Sequence, residues 1–239
     1  MSMQALILAS GRGTRMGTLT DVLPKPMLTV AGKTLIDHKL EALPDAVDEV
    51  ILVIGYLGHT IRERYSDSSH GRRIRYVEQQ DLAGTGAAAW LARPLIEGRF
   101  LVLMGDDLYG REDIERCIAL PDWSVLVERT QTMAAGGSMV LDGAGRVLGI
   151  EEGDHSGRPG IMNTNMFVLD ERVFEQSLVP KAPGSAEFGL PQTVVEASRN
   201  LNVPLTAVNA TAWIQITAPE DLLIAERRLA EIEGKGKAV

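Results

Sequence analysis

The chain has 239 residues and a formal net charge of −8 at pH 7, and 45% of its residues are hydrophobic. This length and apolar content suffice for one large domain or two small ones, and the acidic balance argues against a nucleic-acid partner bound through overall charge. The single cysteine, Cys117, excludes an intrachain disulfide, and no apolar run approaches the length of a membrane span. We therefore expect a cytoplasmic protein without a membrane partner.

Short apolar segments alternate with helical patterns through the first half of the chain. Strands are predicted at residues 4–9, 50–54, 74–77 and 100–104, and helices at residues 35–43, 60–65 and 87–92. Strands separated by helices are typical of a doubly wound, mostly parallel α/β sheet with helices on both faces. Ligands of such sheets bind at the carboxyl ends of the strands, so the loops after residues 9 and 104 are candidate sites.

The second half is richer in strand-like segments. A helical pattern at residues 114–120 precedes strands predicted at residues 124–129, 138–141, 147–151 and 163–169, with a hairpin turn at residues 142–145. A helix at residues 190–199, a closing pair of strands at 205–208 and 213–216, and an amphipathic helix at 219–233 complete the chain. No composition break marks a linker, so we predict a single domain over residues 1–239.

A glycine-rich, basic loop follows the first strand. Gly11 and Gly13 allow a tight turn that brings backbone N–H groups close to an anion. Arg15 offers a planar fork of donors and Lys25 a compact charge, and prolines on both sides of Lys25 stiffen its backbone. Together these residues favour a triphosphate site in which both basic side chains are exposed.

Three better-known phosphate motifs do not fit this loop. A dinucleotide-binding fingerprint needs a third glycine where Met16 stands, and a Walker loop needs a glycine where Met27 stands. A kinase glycine-rich loop would come with companion motifs that the sequence lacks. The loop therefore belongs to another class of phosphate-binding sequence.

Two further loops carry polar residues at predicted strand ends. Gln79 precedes Gly84-Thr85-Gly86, and its carboxamide has a donor and an acceptor with which to read a pyrimidine edge. The glycines of that loop permit the close approach of a flat base. Gly105-Asp106-Asp107 ends an apolar strand, and carboxylate oxygens are ligands that a hard cation such as Mg2+ prefers. We expect Asp107 to lead a helix or to face solvent.

The run Gly11-x-Gly13-Thr14-Arg15-Met16, followed by Pro24-Lys25-Pro26-Met27, resembles the signature of the sugar-1-phosphate nucleotidylyltransferases. Ser10 stands where alanine is more usual in that family. The resemblance implies the Rossmann-like nucleotide-diphospho-sugar transferase fold. It also divides the domain into a mainly nucleotide-binding half, residues 1–110, and a smaller, β-rich, mainly sugar-binding half, residues 111–239.

The resemblance assigns roles to the loop residues. A sugar-1-phosphate oxygen would attack the α-phosphate of a nucleoside triphosphate and release pyrophosphate, with Arg15 holding the pyrophosphate, Lys25 the α-phosphate and Asp106 a bridging Mg2+. Guanylyl members tend to carry glutamate at the position of Gln79, which makes UTP or dTTP the expected nucleotide. The implied nucleotide contacts are Ala9, Gly11, Gly13, Thr14, Gln79, Gly84 and Thr85.

The sugar contacts that the family implies match this sequence only in part. They are Glu151, Asn163 and Glu187. Glu152 stands where the family has a lysine that grips the sugar phosphate, and Asn165 stands where it has a glycine. Surface carboxylates and a turn asparagine are an equally good interpretation of these positions.

The family's second metal-binding aspartate is replaced here by Gln215. An amide oxygen can still bind Mg2+ beside Asp106, but it adds no charge and binds more weakly. The alternative function is therefore that of a catalytically weakened regulatory protein of the same fold that binds nucleotide sugars. Met16 and Lys25 argue against a third function, that of an NAD-dependent oxidoreductase. The expected partners are a nucleoside triphosphate and a sugar 1-phosphate, and self-association into a homo-oligomer is left open.

Overall fold

A computed structural model of the chain describes residues 3–236, with side chains described to residue 232. The strands are β1 (Met3–Ala9), β2 (Thr29–Val30), β3 (Lys33–Thr34), β4 (Val47–Ile54), β5 (Ser68–Ser69), β6 (Arg72–Glu78), β7 (Arg99–Met104), β8 (Trp123–Leu141), β9 (Val147–Asp170) and β10 (Leu205–Asn209). The α-helices are α1 (Leu35–Ala42), α2 (Gly58–Tyr65), α3 (Gly84–Leu91), α4 (Arg111–Ile118), α5 (Leu190–Leu201) and α6 (Pro219–Gly236). Within the described residues, no helix is both long and apolar enough to cross a membrane.

Eight strands form one sheet in the order β10-β8-β9-β7-β1-β4-β6-β5. β1 is parallel to both of its neighbours, β4 and β7, and β6 and β10 are parallel to β4 and β8. β9 runs antiparallel between β7 and β8, and the short strand β5 is antiparallel to β6. The predicted mostly parallel α/β sheet is confirmed, and its parallel part brings the carboxyl ends of β1, β6 and β7 to one edge.

The side chains of the central strand divide between two apolar cores, one on each face of the sheet. Leu6 and Leu8 join the core that includes residues of α3 and α5, and Ala5 and Ile7 join the core that includes residues of α1, α2 and α4. Because successive strand residues point to opposite faces, a strand buried on both sides is apolar throughout. The predicted layers of helices on both faces are confirmed.

β8 and β9 are longer than the apolar pattern predicts. The segments predicted at residues 124–129 and 138–141 form one strand, and so do those predicted at 147–151 and 163–169. The two strands pair across the turn at residues 142–145, as predicted, with register shifts between Thr130 and Ser138. The joining residues are mostly exposed and rich in glycine, so no alternation of buried and exposed side chains marks them as strand.

The predicted strand at residues 213–216 is wrong. Ile214 makes an isolated bridge to Leu108, and Trp213 and Ile216 are buried in the loop that follows β10. The alternation of apolar and polar residues there arises from a loop that packs into the core. α6 begins at Pro219, as predicted, and runs to Gly236.

Asp113 in α4 binds the loop that follows β10 through several hydrogen bonds. Its fully buried carboxylate accepts hydrogen bonds from the backbone N–H groups of Thr211 and Ala212 at 2.9 Å each, from the Thr211 hydroxyl at 2.6 Å and from Arg116. Burial acts to raise the pKa of Asp113, but the hydrogen bonds from Thr211, Ala212 and Arg116 outweigh it and hold the pKa below its ordinary value.

We expect the stabilisation by ionised Asp113 to be fully present above the pKa of the unfolded chain, about 4, and to be lost as the pH falls through the lower pKa of the folded state. The reason is that the unfolded chain binds the proton first. Asp113→Asn should cost about 2 kcal/mol at pH 7 and should flatten this acid dependence. Urea unfolding between pH 3 and 7 measures both effects, with Glu63→Gln on the exposed face of α2 as the control. An acid dependence unchanged in Asp113→Asn would contradict the assignment.

Candidate active site

A cavity of about 780 Å3 opens at the carboxyl ends of β1, β6 and β7. The predicted site residues that line it are Ala9, Gly11, Gly13, Thr14, Arg15, Lys25, Gln79, Gly84, Thr85, Asp106, Asn163, Glu187 and Gln215. Glu151 does not line the cavity, whereas its neighbour Glu152 does. Successive side chains of β9 point to opposite faces, so a shift of one residue decides which glutamate reaches the site.

Lys25 is the buried centre of the basic loop. It begins a short 3-10 helix, Lys25–Met27, and only 5% of the residue is exposed. Its Nζ donates hydrogen bonds to Asp106 Oδ2 at 2.6 Å and to the backbone carbonyl of Ile216. The expectation that Lys25 is exposed is therefore wrong, whereas Arg15 is exposed as expected. The two partners lie 81 and 191 residues away in the sequence, which is why no local pattern indicates the burial.

Gly13 packs directly against the Lys25 side chain. Its φ is +66°, and a Cβ added there would lie 2.8 Å from the Cβ of Lys25. Both the left-handed backbone and the close approach require glycine. The position of the loop is therefore set by the buried lysine beneath it.

Two more ionisable side chains, Lys39 and Asp107, are buried near the pair formed by Lys25 and Asp106. Lys39, in α1, is 1% exposed, and its Nζ donates to the backbone carbonyls of Leu35 and Gly105 at 3.0 Å each. Asp107 is 4% exposed and accepts a hydrogen bond from Trp213 Nε1 at 3.1 Å. The expectation that Asp107 leads a helix or faces solvent is therefore wrong.

The buried groups shift each other's protonation. Burial lowers the pKa of Lys39 to about 8, and the negative charges of Asp106 and Asp107 oppose that change. Burial raises the pKa of Asp107 to about 8, and Asp106 adds to the rise while Lys39 opposes it. Lys39 and Asp107 thus each offset part of the other's cost of burial at the end of β7.

The carboxamide of Gln79 is held in the cavity wall. Gln79 is 5% exposed, its Oε1 accepts a hydrogen bond from the Ser10 hydroxyl, and its Nε2 donates to the Gly84 carbonyl at 3.5 Å. Its backbone N–H donates to Ile54 at the end of β4, at 2.8 Å. The two strand-end loops that carry Ser10 and Gln79 are therefore joined through side chains.

Gly84 is required by a contact within the chain. Its φ is +93°, and a Cβ there would lie 2.4 Å from the backbone oxygen of Phe188. The loop also exchanges backbone hydrogen bonds of 2.8 and 2.9 Å with Phe188, and Thr85 Oγ1 accepts one from the Leu190 N–H at 3.0 Å. These hydrogen bonds join residues 188–190 to the Gln79 loop, and Glu187, the residue before them, lines the cavity.

Other parts of the wall come from β8, from β9 and from residues around the start of α5. Asn163 and Asn165 are joined by hydrogen bonds of 2.8 and 3.0 Å, and Asn165 adopts φ +57°, the left-handed region that a glycine would otherwise supply. Glu152 accepts a hydrogen bond from Gln192 Nε2 at 2.9 Å. Gln192 and Lys181 line the cavity but lie outside any motif, so the sequence offers no signal for them.

Asp106 and Gln215, the two predicted metal ligands, both line the cavity. The Asp106 side chain is 31% exposed, with Oδ2 paired to Lys25, and Gln215 is exposed. Among residues 3–236, no group of three or more His, Cys, Asp and Glu side chains could hold a metal ion by itself. One carboxylate and one amide fit Mg2+ that arrives with phosphate oxygens in its octahedral shell, because this ion is usually held by few protein ligands.

The burial of Lys25 predicts a stability difference between the two basic residues. Lys25→Met should lower the free energy of unfolding by about 3 kcal/mol, because Asp106 and the Ile216 carbonyl lose their donor. Arg15→Met removes an exposed guanidinium and should change it by less than about 0.5 kcal/mol. Urea unfolding at pH 7 measures both, and equal stabilities of the two variants would contradict the buried placement.

Comparison with known proteins bears on the whole chain. The family model described as nucleotidyl transferase matches residues 4–231. The bifunctional protein GlmU of Methanocaldococcus jannaschii is 27% identical over 238 residues, which cover 98% of this chain and 57% of the relative. The chain thus spans little more than half the length of such bifunctional relatives.

Two further proteins match nearly end to end. The UTP--glucose-1-phosphate uridylyltransferase AglF of Haloferax volcanii is 25% identical over 244 residues, which cover 96% of this chain and 97% of the relative. The crystal structure of HddC from Yersinia pseudotuberculosis has a TM-score of 0.72 at 23% identity, covering 95% of this chain and 99% of that chain. The structural likeness shows a shared fold.

Proposed function

The chain belongs to the nucleotidyl transferase family, and on this basis we propose that it transfers a nucleotidyl group from UTP or dTTP to a sugar 1-phosphate. The products would be a nucleotide sugar and pyrophosphate. The observation that carries the proposal is the meeting of Arg15, Lys25 and Asp106 in one cavity at the carboxyl edge of the sheet. The Arg15 guanidinium and the Lys25 ammonium can bind the phosphates of a nucleoside triphosphate, and the Asp106 carboxylate can bind its metal ion.

The two basic residues have different parts in this proposal. Asp106 and Ile216 hold the Lys25 ammonium at a fixed position, where it would stabilise charge on the α-phosphate. Arg15 is exposed in the cavity and can move its planar guanidinium onto the pyrophosphate as it departs. A fixed charge at the reacting phosphorus and a mobile one at the leaving group suit a reaction that must also release its product.

Positioning and charge stabilisation account for the chemistry that we propose. An oxygen of the acceptor phosphate attacks the α-phosphorus, and the bond from that phosphorus to the β-phosphate oxygen breaks as pyrophosphate leaves in line. The acceptor phosphate is already ionised near neutral pH, so no general base is needed. Asp106 and the Gln215 amide oxygen would hold Mg2+, which when bound supplies positive charge to the phosphates.

Two observations support the choice of nucleotide. The Gln79 carboxamide lines the cavity, where it can meet the edge of a base. AglF, which matches over almost the full length of both chains, is named for UTP and glucose 1-phosphate. The pyrimidine nucleotides UTP and dTTP differ by one methyl and one hydroxyl, so we expect little discrimination between them.

The acceptor would bind on the side of the cavity formed by β9 and the segment before α5. Asn163, Glu187 and Glu152 line that side, with Glu152 in the place we expected for Glu151. On this proposal residues 1–110 chiefly bind nucleotide and residues 111–239 chiefly bind sugar.

A second candidate is a regulatory protein that binds a nucleotide sugar with little turnover. Gln215 and Glu152 favour this candidate, because the family that the sequence resembles has an aspartate and a lysine at these two positions. Pyrophosphate release, measured with Mg2+ and a panel of nucleoside triphosphates and sugar 1-phosphates, separates the candidates. Turnover with UTP or dTTP supports the transferase, tight binding without turnover supports the regulator, and preference for GTP would reverse the base assignment.

Arg15→Ala and Lys25→Ala are each expected to reduce turnover by at least about a hundredfold, which corresponds to roughly 3 kcal/mol of lost charge stabilisation. Arg93→Ala, at an exposed arginine outside the cavity, is the matched control. Circular dichroism at the assay temperature must show that Lys25→Ala is folded. Near-normal turnover in both cavity variants would remove the phosphate-binding roles.

The metal site can be tested at Gln215. Gln215→Asp adds a second carboxylate and should lower the Mg2+ concentration that gives half the maximal rate, whereas Asp106→Asn should abolish activity. The measurement is initial rate against Mg2+ at saturating substrates. Coincident curves for the wild type and Gln215→Asp would mean that residue 215 does not contact the metal.

A further inference from the structure

Tyr56 follows β4 and contacts both ends of the part of the basic loop that carries Arg15, which we call segment 11–19. Its backbone N–H donates a hydrogen bond to the Ser10 carbonyl at 3.2 Å, just before the segment. Its hydroxyl donates to the carbonyls of Thr20 at 3.0 Å and Asp21 at 3.3 Å, just after the segment. One residue at a neighbouring strand end therefore fixes both ends of segment 11–19 relative to the sheet.

The ring of Tyr56 makes a further contact, with Arg12 inside the segment. The central carbon of the Arg12 guanidinium lies 5.2 Å from the ring centroid, which is within the range of a cation–π interaction. Arg12 does not line the cavity, whereas Arg15, three residues later, does. The two arginines of the segment thus have different places, one packed on Tyr56 and the other at the cavity.

Segment 11–19 has few internal contacts that would hold it in one conformation. Met16 is its one buried residue. The buried Thr20 donates from its hydroxyl to the carbonyls of Gly13 and Gly17 at 3.2 Å each, and Tyr56 in turn donates to Thr20. Because ordering a loose segment costs free energy, a segment held in one conformation binds a ligand more tightly than a loose one.

We propose that Tyr56 is a positioning residue, which holds segment 11–19 in the conformation that binds the phosphate chain of a nucleoside triphosphate. This inference rests on the proposed function and adds a residue to its triphosphate site. Tyr56 does not line the cavity, so it acts through the segment and not by contact with the ligand. The hydroxyl is the group to test, because Tyr56→Phe keeps the ring on which Arg12 packs and removes only the hydrogen bonds to residues 20 and 21.

The chain offers a closely matched control in Tyr76. Its hydroxyl donates to the Ser66 carbonyl at 2.6 Å, and the central guanidinium carbon of Arg62 lies 4.5 Å from its ring centroid. Tyr76 is in β6 and does not line the cavity. Tyr76→Phe therefore removes the same kind of hydrogen bond beside the same kind of ring contact, but away from segment 11–19.

Binding of inorganic tripolyphosphate, measured by titration calorimetry in Mg2+ buffer, isolates the phosphate chain from the base and the sugar. Tyr56→Phe should bind this probe about three- to tenfold more weakly than the wild type, the value of one net hydrogen bond. Tyr76→Phe should bind it within about twofold of the wild type. Equal binding by the wild type and Tyr56→Phe, or an equal loss in both variants, would overturn the proposal.

Limited digestion with trypsin reports the order of the segment itself, because trypsin cleaves after Arg12 and Arg15. Cleavage at these two positions, followed by mass spectrometry, should be at least about threefold faster in Tyr56→Phe than in the wild type or Tyr76→Phe. Tripolyphosphate should slow it in all three proteins. The same cleavage rate in Tyr56→Phe and the wild type would show that the hydroxyl does not order the segment.

Kinetics separate this role from a general loss of structure. In Tyr56→Phe, KM for UTP or dTTP should rise about three- to tenfold, while KM for the sugar 1-phosphate should stay within about twofold. The reason is that the acceptor side is formed by β9 and the segment before α5, which Tyr56 does not contact. An equal rise of both KM values would contradict the proposal.

The two proposals can fail separately. If no pair of nucleotide and sugar 1-phosphate releases pyrophosphate, but tripolyphosphate binds with the expected sensitivity to Tyr56→Phe, the transferase assignment fails and the role of Tyr56 stands. If the chain turns over UTP while Tyr56→Phe binds and is digested like the wild type, the role of Tyr56 fails and the transferase assignment stands. A wild-type chain that binds neither UTP nor tripolyphosphate would overturn both.

Discussion

The buried ammonium of Lys25 holds together three segments that are far apart in the sequence. It ties the basic loop to Asp106 at the end of β7 and to Ile216 in the loop before α6. A charge buried without partners would cost several kcal/mol, so these contacts are a condition for the loop to adopt its position. Gly13 packs on the same side chain. One ion pair therefore joins the basic loop, the end of β7 and the loop before α6 at the cavity.

The fold and the location of the site could be predicted from the sequence because both rest on local patterns. Apolar runs of strand length, separated by helical periodicity, predict a parallel sheet, and such a sheet gathers its loops at the carboxyl edge. That rule is enough to expect Gly13, Lys25, Gln79 and Asp106 in one place, and they do line one cavity. Their chemical roles remain predictions.

Features that depend on distant contacts could not be predicted. The burial of Lys25, Lys39 and Asp107 comes from partners 81, 66 and 106 residues away, and composition alone makes charged residues near a loop appear exposed. Whether Glu151 or Glu152 faces the cavity depends on the register of β9 against β8, and the pairing of these long strands contains several register shifts. In each case tertiary packing decides what the local pattern leaves open.

The contact between Gly84 and Phe188 connects the backbones of two segments that line different sides of the cavity. The backbone hydrogen bonds at Phe188 join the Gln79 loop to the segment that carries Glu187, and Gly84 lies directly against Phe188. On the proposed function, a movement of this shared backbone caused by one ligand would reach the site of the other, and by thermodynamic linkage each ligand would then change the affinity for the other by the same factor.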